Sequence, residues 1–492
     1  MHRRDFIATL IKASGAAVFL GMFPDAGTRL LAAEDRVIDS FRSTPDRLAD
    51  LLEIIVGSGA DFADVFVEQV ISRQYTLTNG SLTDSGCVLW EGIGIRGISG
   101  RKTAFSAVNG YQFDPARDAA REICKTLNAS GPDRKLKSMP EHPVRDYGAI
   151  LARRKVSQTG DAEVLRLLLP IQNATPASSN LIQRMALTYT DRVRRLIVAD
   201  SDGRFIMDQQ PSISLEFAHT ARIQSAGATA IRRMHHRCGM EFLENTSVKT
   251  TLYETTAEAV EMVSAKPVPE GSWPVALQPR PAAVITKTWL ESLMLQESPP
   301  GTPVAPEHLR LIDNSRIQNA AASSHFDDEG TRTAETVLVQ NRQVVRRLND
   351  RITAARRKEA PTGNGRRADF TMPPGICPSN CYLASTRAVP NAPVEAMDNG
   401  VLVRSMVPLT AGPEHADSVF RVISGWWIQK GVRAWPIRNV LISAPFAAIL
   451  NTIDLIGDDI SFEPETFGES QVPCAFGAPS MRIASMTVRQ LG

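Results

Sequence analysis

Cysteine is scarce in this chain: six residues among 492 are too few for a disulfide scaffold, and no paired CxxC spacing marks a zinc ribbon. Net charge is nearly absent as well. With 55 Lys and Arg against 53 Asp and Glu the sum is only +2, which excludes a chain built to coat a phosphate backbone, so no nucleic-acid partner is expected. Long apolar runs are missing too. The one near the N-terminus is broken by Lys12 and falls short of the ~20 residues that cross a bilayer, so no stable membrane span is expected. No short-period repeat is visible. What remains is ordinary for a globular protein, 43% hydrophobic and 22% charged. The length implies two or three domains, or one large core with insertions.

The chain opens MHRRDFIATLIKASGAAVFLGMF, with Arg3 and Arg4 ahead of Asp5, Phe6 and Ile7 and then a modest Ala- and Gly-containing apolar stretch. This is the layout of a twin-arginine export signal over residues 1–33, with a small-residue exit near Ala32 and Ala33. A plain basic N-terminus or a membrane anchor is the alternative. Export implies a bacterial periplasm or cell envelope, an oxidising space in which disulfides become possible. Cys377 and Cys381, four apart, are then open to a disulfide or to two ordinary thiols.

Residues 34–46 are polar and linking. In PDRLADLLEIIVGSGA, Leu48, Leu51, Leu52 and Ile55 share a helical face that ends at Gly57 and Gly59. From Phe62 to Ala107 apolar and polar residues alternate, broken at Asn79-Gly80 and Ser99-Gly100, which predicts an antiparallel meander. Residues 115–127 read as a helix, 129–160 as a loop, 180–225 as a second meander, and 251–264 as another helix. A Pro-rich joint follows, and the main boundary is expected near 268–273, dividing 34–270 from 271–492. Beyond it, PAAVITKTWLESLMLQ reads as a strand running into a helix, a hairpin centres on Asn341, and the later segments alternate again. The class is α+β.

GADFADVFVEQ and EGIGIRGISGRKTAFS, within residues 59–106, then HFDDEGT and EAPTGNGRRADF, with KGVRAWPIRNVLISA and GDDISF near the end, resemble the TldD/PmbA family. These are metallopeptidase-like proteins also known as modulators of DNA gyrase. The Thr-Gly-Asn-Gly-Arg-Arg run resembles the TldD branch more than the PmbA branch. The resemblance implies a two-part α+β fold, an N-terminal mixed module with an antiparallel sheet and a β-rich C-terminal module. It also implies a zinc-carrying subunit paired with a metal-free one, acting on short or unfolded peptides in an enclosed chamber.

The family's zinc helix carries His-Glu-x-x-x-His, two imidazole ligands and a water-polarising carboxylate, with a Cys near the C-terminus. Aligned on the apolar run before it, those positions fall on Thr286, Lys287 and Glu291, and none is preserved in kind. The family Cys falls near EPETFGES; Cys474 lies a few residues later and is not carried over. None of the eight histidines pairs with another at four- or five-residue spacing. His235, His236 and Cys238 cluster in sequence but read as an exposed basic loop. No metal ligand and no cofactor is therefore expected in this chain, and no GxSxG elbow offers a nucleophile instead.

The retained motifs leave two readings. Gly363-Asn364-Gly365 permits a sharp turn, and Arg366 and Arg367 either meet a peptide C-terminus, with Asn364 and Gly365 beside them, or pair with Asp327, Asp328 or Glu329. Of Trp426 and Trp427, one faces a core. The expected function is peptide proteolysis or processing as a zinc-less subunit, partnered by a second family chain in a heterodimer, or by its own copy. The alternatives are a hydrolase with an altered site using Glu291, or a stand-alone peptide-binding scaffold.

Overall fold

The computed structural model describes residues 18–20 and 45–491, apart from 130, 133, 141, 147–151, 175–179, 413–416 and 470. The expected export signal lies outside the described residues except for the short strand Val18–Leu20, which pairs with Cys87–Leu89.

Two hairpins of long strands build the first sheet. Phe62–Thr78 pairs with Ser81–Ser99, and Ile182–Asp200 pairs with Phe205–Ile223. The hairpins join side by side through Phe62–Thr78 and Ile182–Asp200. Asn79 and Gly80 both take positive φ, 48° and 83°, as the tight turn between long twisted strands requires. Lys102–Asn109 extends one side, and Ala226–His236 ends the other.

Strand alternation gives this sheet two unlike faces. Odd-numbered residues face helices. Helix α1 (Pro45–Val56) and helix α2 (Phe113–Leu127) bury Leu48, Leu51, Leu52, Ile55 and Ile123 against Val65, Val67, Ile93 and Ile95. Farther along, helix α3 (Asp161–Asn173) and helix α4 (Thr246–Val263) cover Ile71, Leu187, Leu215 and Phe217. Pro170 sits inside α3, which hides that helix from its periodicity. Even-numbered residues form the opposite face, rich in charged and hydroxyl side chains, and it meets the C-terminal half.

The C-terminal half holds a closed ring of five strands. Gly271–Leu277, Asn399–Thr410, Ser418–Gln429, Val440–Ala444 and Met481–Gln490 pair in a cycle. Closure removes the edges an open sheet would expose. Trp427 is buried in the core against Trp273 and Trp435, whereas Trp426 packs at a smaller cluster with Val394 and Met397. A six-stranded sheet lies alongside, and Ser461–Phe467 is its edge. Helix α5 (Pro279–Leu295) packs between ring and sheet through Ile285, Trp289 and Leu290. The segment PAAVIT, residues 281–286, therefore lies within α5 rather than in a strand, because prolines early in α5 fit its first turn, where no intrahelical donor is needed. The whole is α+β.

Candidate functional site

On α5 the side chains at the three motif positions go to different surroundings. Thr286 is fully buried, and its Oγ1 donates to Gly477 O at 2.8 Å. Lys287 reaches sideways to the edge strand Ser461–Phe467, where its Nζ lies 3.1 Å from Glu465 Oε2. Glu291, one turn on, is exposed. Glu465 stands opposite Cys474 in the neighbouring strand Val472–Ala478. Cys474 is fully buried, and burial pushes its thiol well above the ordinary range. Among the described residues no three His, Cys, Asp or Glu side chains form a metal-holding group.

Beside this helix the polar sheet face opens into two clefts. The larger, about 870 Å³, runs between the edge strands Ala226–His236 and Ser461–Phe467, with Arg280 and Arg404 among its walls. Arg280 Nη2 donates to Ile231 O at 2.9 Å, and its Nε to Glu463 Oε2 at 3.1 Å. The smaller, about 460 Å³, has Thr188, Thr190, Ser214 and His235 on one wall and Glu465 and Cys474 on the other. Ser214 Oγ and His235 Nδ1 are 2.6 Å apart across paired strands. Burial, with Arg237 next, pushes the imidazole down to about 3, so it is neutral at physiological pH.

His235 and His236 thus end a strand rather than occupy an exposed loop, and Cys238 is buried. The basic look of MHHRC misleads because His236 packs against Phe242 with ring centroids 4.6 Å apart and planes tilted by 42°, and Arg237 is buried. Cys377 and Cys381 are both buried free thiols.

The two most specific sequence motifs meet each other and the first sheet. Gly365 N donates to Asp327 Oδ2 (2.9 Å), and Arg367 N to Asp328 Oδ2 (2.8 Å). Asn364 Nδ2 donates to Asp313 Oδ2 (2.9 Å), and Arg366 Nη1 to Pro378 O (2.9 Å). All of these side chains are buried, so Asn364, Arg366 and Arg367 are bonded within the chain. Gly363 has φ +78°, the turn expected there. Gly365 is needed for a different reason: a Cβ on it would fall 2.2 Å from Glu329 Oε2. From the sheet, Arg96 donates to Asp64 Oδ2 (2.7 Å) and Glu329 Oε1 (2.8 Å), and Arg194 joins Glu68 (2.5 Å) to Asp328 (2.9 Å). Burial opposes ionisation of Asp328, but Arg194, Arg367 and Arg366 outweigh it and hold the carboxyl below its usual range. Asp327 goes the other way, raised by burial and by Glu329.

The sequence of this chain matches two family models. One, described as the PmbA/TldA metallopeptidase C-terminal domain, covers residues 281–490, and another, domain 1 of the same family, covers 63–127. The chain belongs to the TldD/PmbA family. A Buchnera aphidicola protein named as a metalloprotease TldD homolog is 22% identical over 89% of this chain and 94% of its own length. Among solved structures, a Thermotoga maritima protein proposed to modulate a DNA gyrase superposes with TM-score 0.71 at 18% identity, covering 92% of this chain and all of that one. TldE from Thermococcus kodakarensis gives 0.68 at 15% identity, covering 90% and 99%. At these identities the structures show a shared fold.

In this TldD/PmbA protein, the Arg96–Glu329 pair joins one matched domain to the other. The sequence motifs DDEG and GNGRR are thereby joined to Asp64, Glu68, Arg96 and Arg194, which motif reading missed. Their signal was faint but present: each puts a charge at an even position within a stretch of strand whose nearest odd positions are mostly apolar, as with Ala63, Val65 and Val67 around Asp64.

Proposed function

We propose that this chain is the zinc-less, peptide-holding subunit of an exported peptidase assembly, with a second family member as partner. The observation that carries the reading is the Lys287–Glu465 pair at 3.1 Å. A dication placed where the family helix holds zinc meets the Lys287 ammonium. Their repulsion is on the order of 4 kcal/mol per unit of ion charge at ~4 Å and an effective dielectric of ~20. Thr286 is a neutral hydroxyl already spent on Gly477 O, and Glu465 already has a cation. This donor set does not fit zinc, whose protein sites combine imidazole, thiolate and carboxylate ligands.

Peptide handling is supported by the larger cleft. Ala226–His236 and Ser461–Phe467 each have a strand partner on one side only among the described residues. Extended peptides bind such edges through main-chain hydrogen bonds, with side-chain pockets adding selectivity. The family relatives named as metalloproteases support peptides as the substrate class. Export rests on Arg3 and Arg4 and the small-residue exit.

The test is purification from the native envelope followed by metal analysis and peptide binding. The expected result is co-purification with a second family chain, zinc in that partner alone, and peptide binding by this chain without cleavage. Peptide cleavage by this chain alone, abolished by a chelator, overturns the reading.

A further inference from the structure

A third cavity, an apolar slot beside the C-terminal part of α5, shares no lining residue with either cleft. Its volume is about 150 Å³, and Leu290, Leu293, Met294, Leu338, Val344 and Ile376 form its apolar walls. Apolar surface left facing water is unfavourable in proportion to its area. An apolar cavity of about this volume takes a benzene ring, so there is room for an apolar group of roughly six carbons.

Four arginines, Arg346, Arg347, Arg356 and Arg357, line the same slot. The first two follow the strand Gln343–Val344, and the others end helix α6 (Arg351–Arg357). The residues just after α5 draw the two segments together. Arg347 Nη1 donates to Glu297 O at 3.1 Å, and Glu297 Oε1 lies 3.4 Å from Arg356 Nη2 and 3.5 Å from Arg357 Nη2.

Carboxylates answer only part of this charge. Glu297 is shared by Arg356 and Arg357, and Glu359 is held by Arg347, so four cations meet two carboxylates among the described residues. Arg346 is exposed, and its side chain has no partner among those residues. Arg357 Nε is buried without a hydrogen-bond partner. Lys358, exposed and next in the chain, adds a further cation nearby.

We propose that this slot binds an apolar carboxylate, its apolar group between the aliphatic walls and its carboxylate on the arginines that line them. Guanidinium donors match a planar carboxylate in geometry as well as charge. A neutral alcohol of the same length gains only from the walls, and an alkyl ammonium is repelled. The inference goes beyond the peptide-holding reading and does not rest on it. Two sources present this chemistry, a short fatty acid and the apolar C-terminal residue of a peptide.

The experiment measures binding of hexanoate, hexan-1-ol and hexylamine to the full chain by calorimetry. Hydrogen bonds to charged groups predict that hexanoate binds roughly tenfold to a hundredfold more tightly than hexan-1-ol, with hexylamine weakest. Arg346→Gln and Arg356→Gln, combined, remove that preference and leave hexan-1-ol binding unchanged; both side chains are exposed, so the fold is kept. Met294→Trp, which fills the slot, abolishes binding of both. A second arm compares acetyl-Ala-Phe as free acid and as amide. Tighter binding of the free acid than of hexanoate, lost in M294W, assigns the peptide C-terminus, and weaker binding assigns the fatty acid. Equal binding of hexanoate and hexan-1-ol, binding that survives Met294→Trp, or no binding of any of these compounds overturns the proposal.

Discussion

Lys287 Nζ lies 3.1 Å from Glu465 Oε2, joining α5 to the edge strand that borders both clefts. The two side chains are 26% and 45% exposed, so water screens the pair and its contribution to stability is small, about 1 kcal/mol or less. Lys287→Gln is accordingly expected to leave the denaturation midpoint nearly unmoved. A loss of several kcal/mol would mean that the pair is structural, contrary to its exposure.

Arg96 is different because it is fully buried between Asp64 and Glu329. Arg96→Met leaves buried Glu329 without its cation and Asp64 with only Arg367 at 3.6 Å, and is expected to cost about 3–5 kcal/mol. The same pair ties the first sheet to the C-terminal half, so both halves should unfold in one transition, read by tryptophan fluorescence and by circular dichroism together. Two separated transitions would show that this polar junction does not couple them.

Gly365 tests the close approach of the two motifs. Gly365→Ala puts a methyl 2.2 Å from Glu329 Oε2, and that oxygen already accepts from Arg351 N at 2.7 Å. A loss of roughly 2 kcal/mol or more is expected from overpacking. Gly375→Ala, with open space around its Cβ, is the control and should be close to neutral.

Acid should weaken the fold through buried histidines. His219 is buried, and because Thr256 Oγ1 donates to Leu252 O, His219 Nδ1 donates to Thr256 Oγ1 at 2.9 Å. Burial lowers His219 to about 4 and His235 to about 3. Between those values and 6.5 the unfolded chain takes up protons that the folded chain refuses. Stability is thus fully present above about 6.5 and is lost as pH falls, by up to about 1.4 kcal/mol per pH unit for each histidine. Urea titrations at pH 7 and pH 5 check this, and His219→Gln should flatten the slope.

Much of the fold was legible because its period is simple. The Asn79-Gly80 turn and the alternation on either side of it are local signals, and the structure realises them as a hairpin. α5 was half-read, since an apolar run such as PAAVIT suits either a strand or a buried helix until its partners are known. The site was harder. DDEG and GNGRR stood out as text, but their partner Arg96 lies 233 residues from Glu329, and no local pattern links them.

The proposed zinc-less reading sets the Lys287–Glu465 ion pair of α5 where the family helix holds a metal. Zinc content of the chain purified alone from metal-replete cells, by elemental mass spectrometry, tests it most directly. The account predicts a content indistinguishable from a buffer blank and unchanged by Lys287→Gln. A stoichiometry of about one zinc per chain, held through dialysis as a structural or catalytic site would hold it, would contradict it.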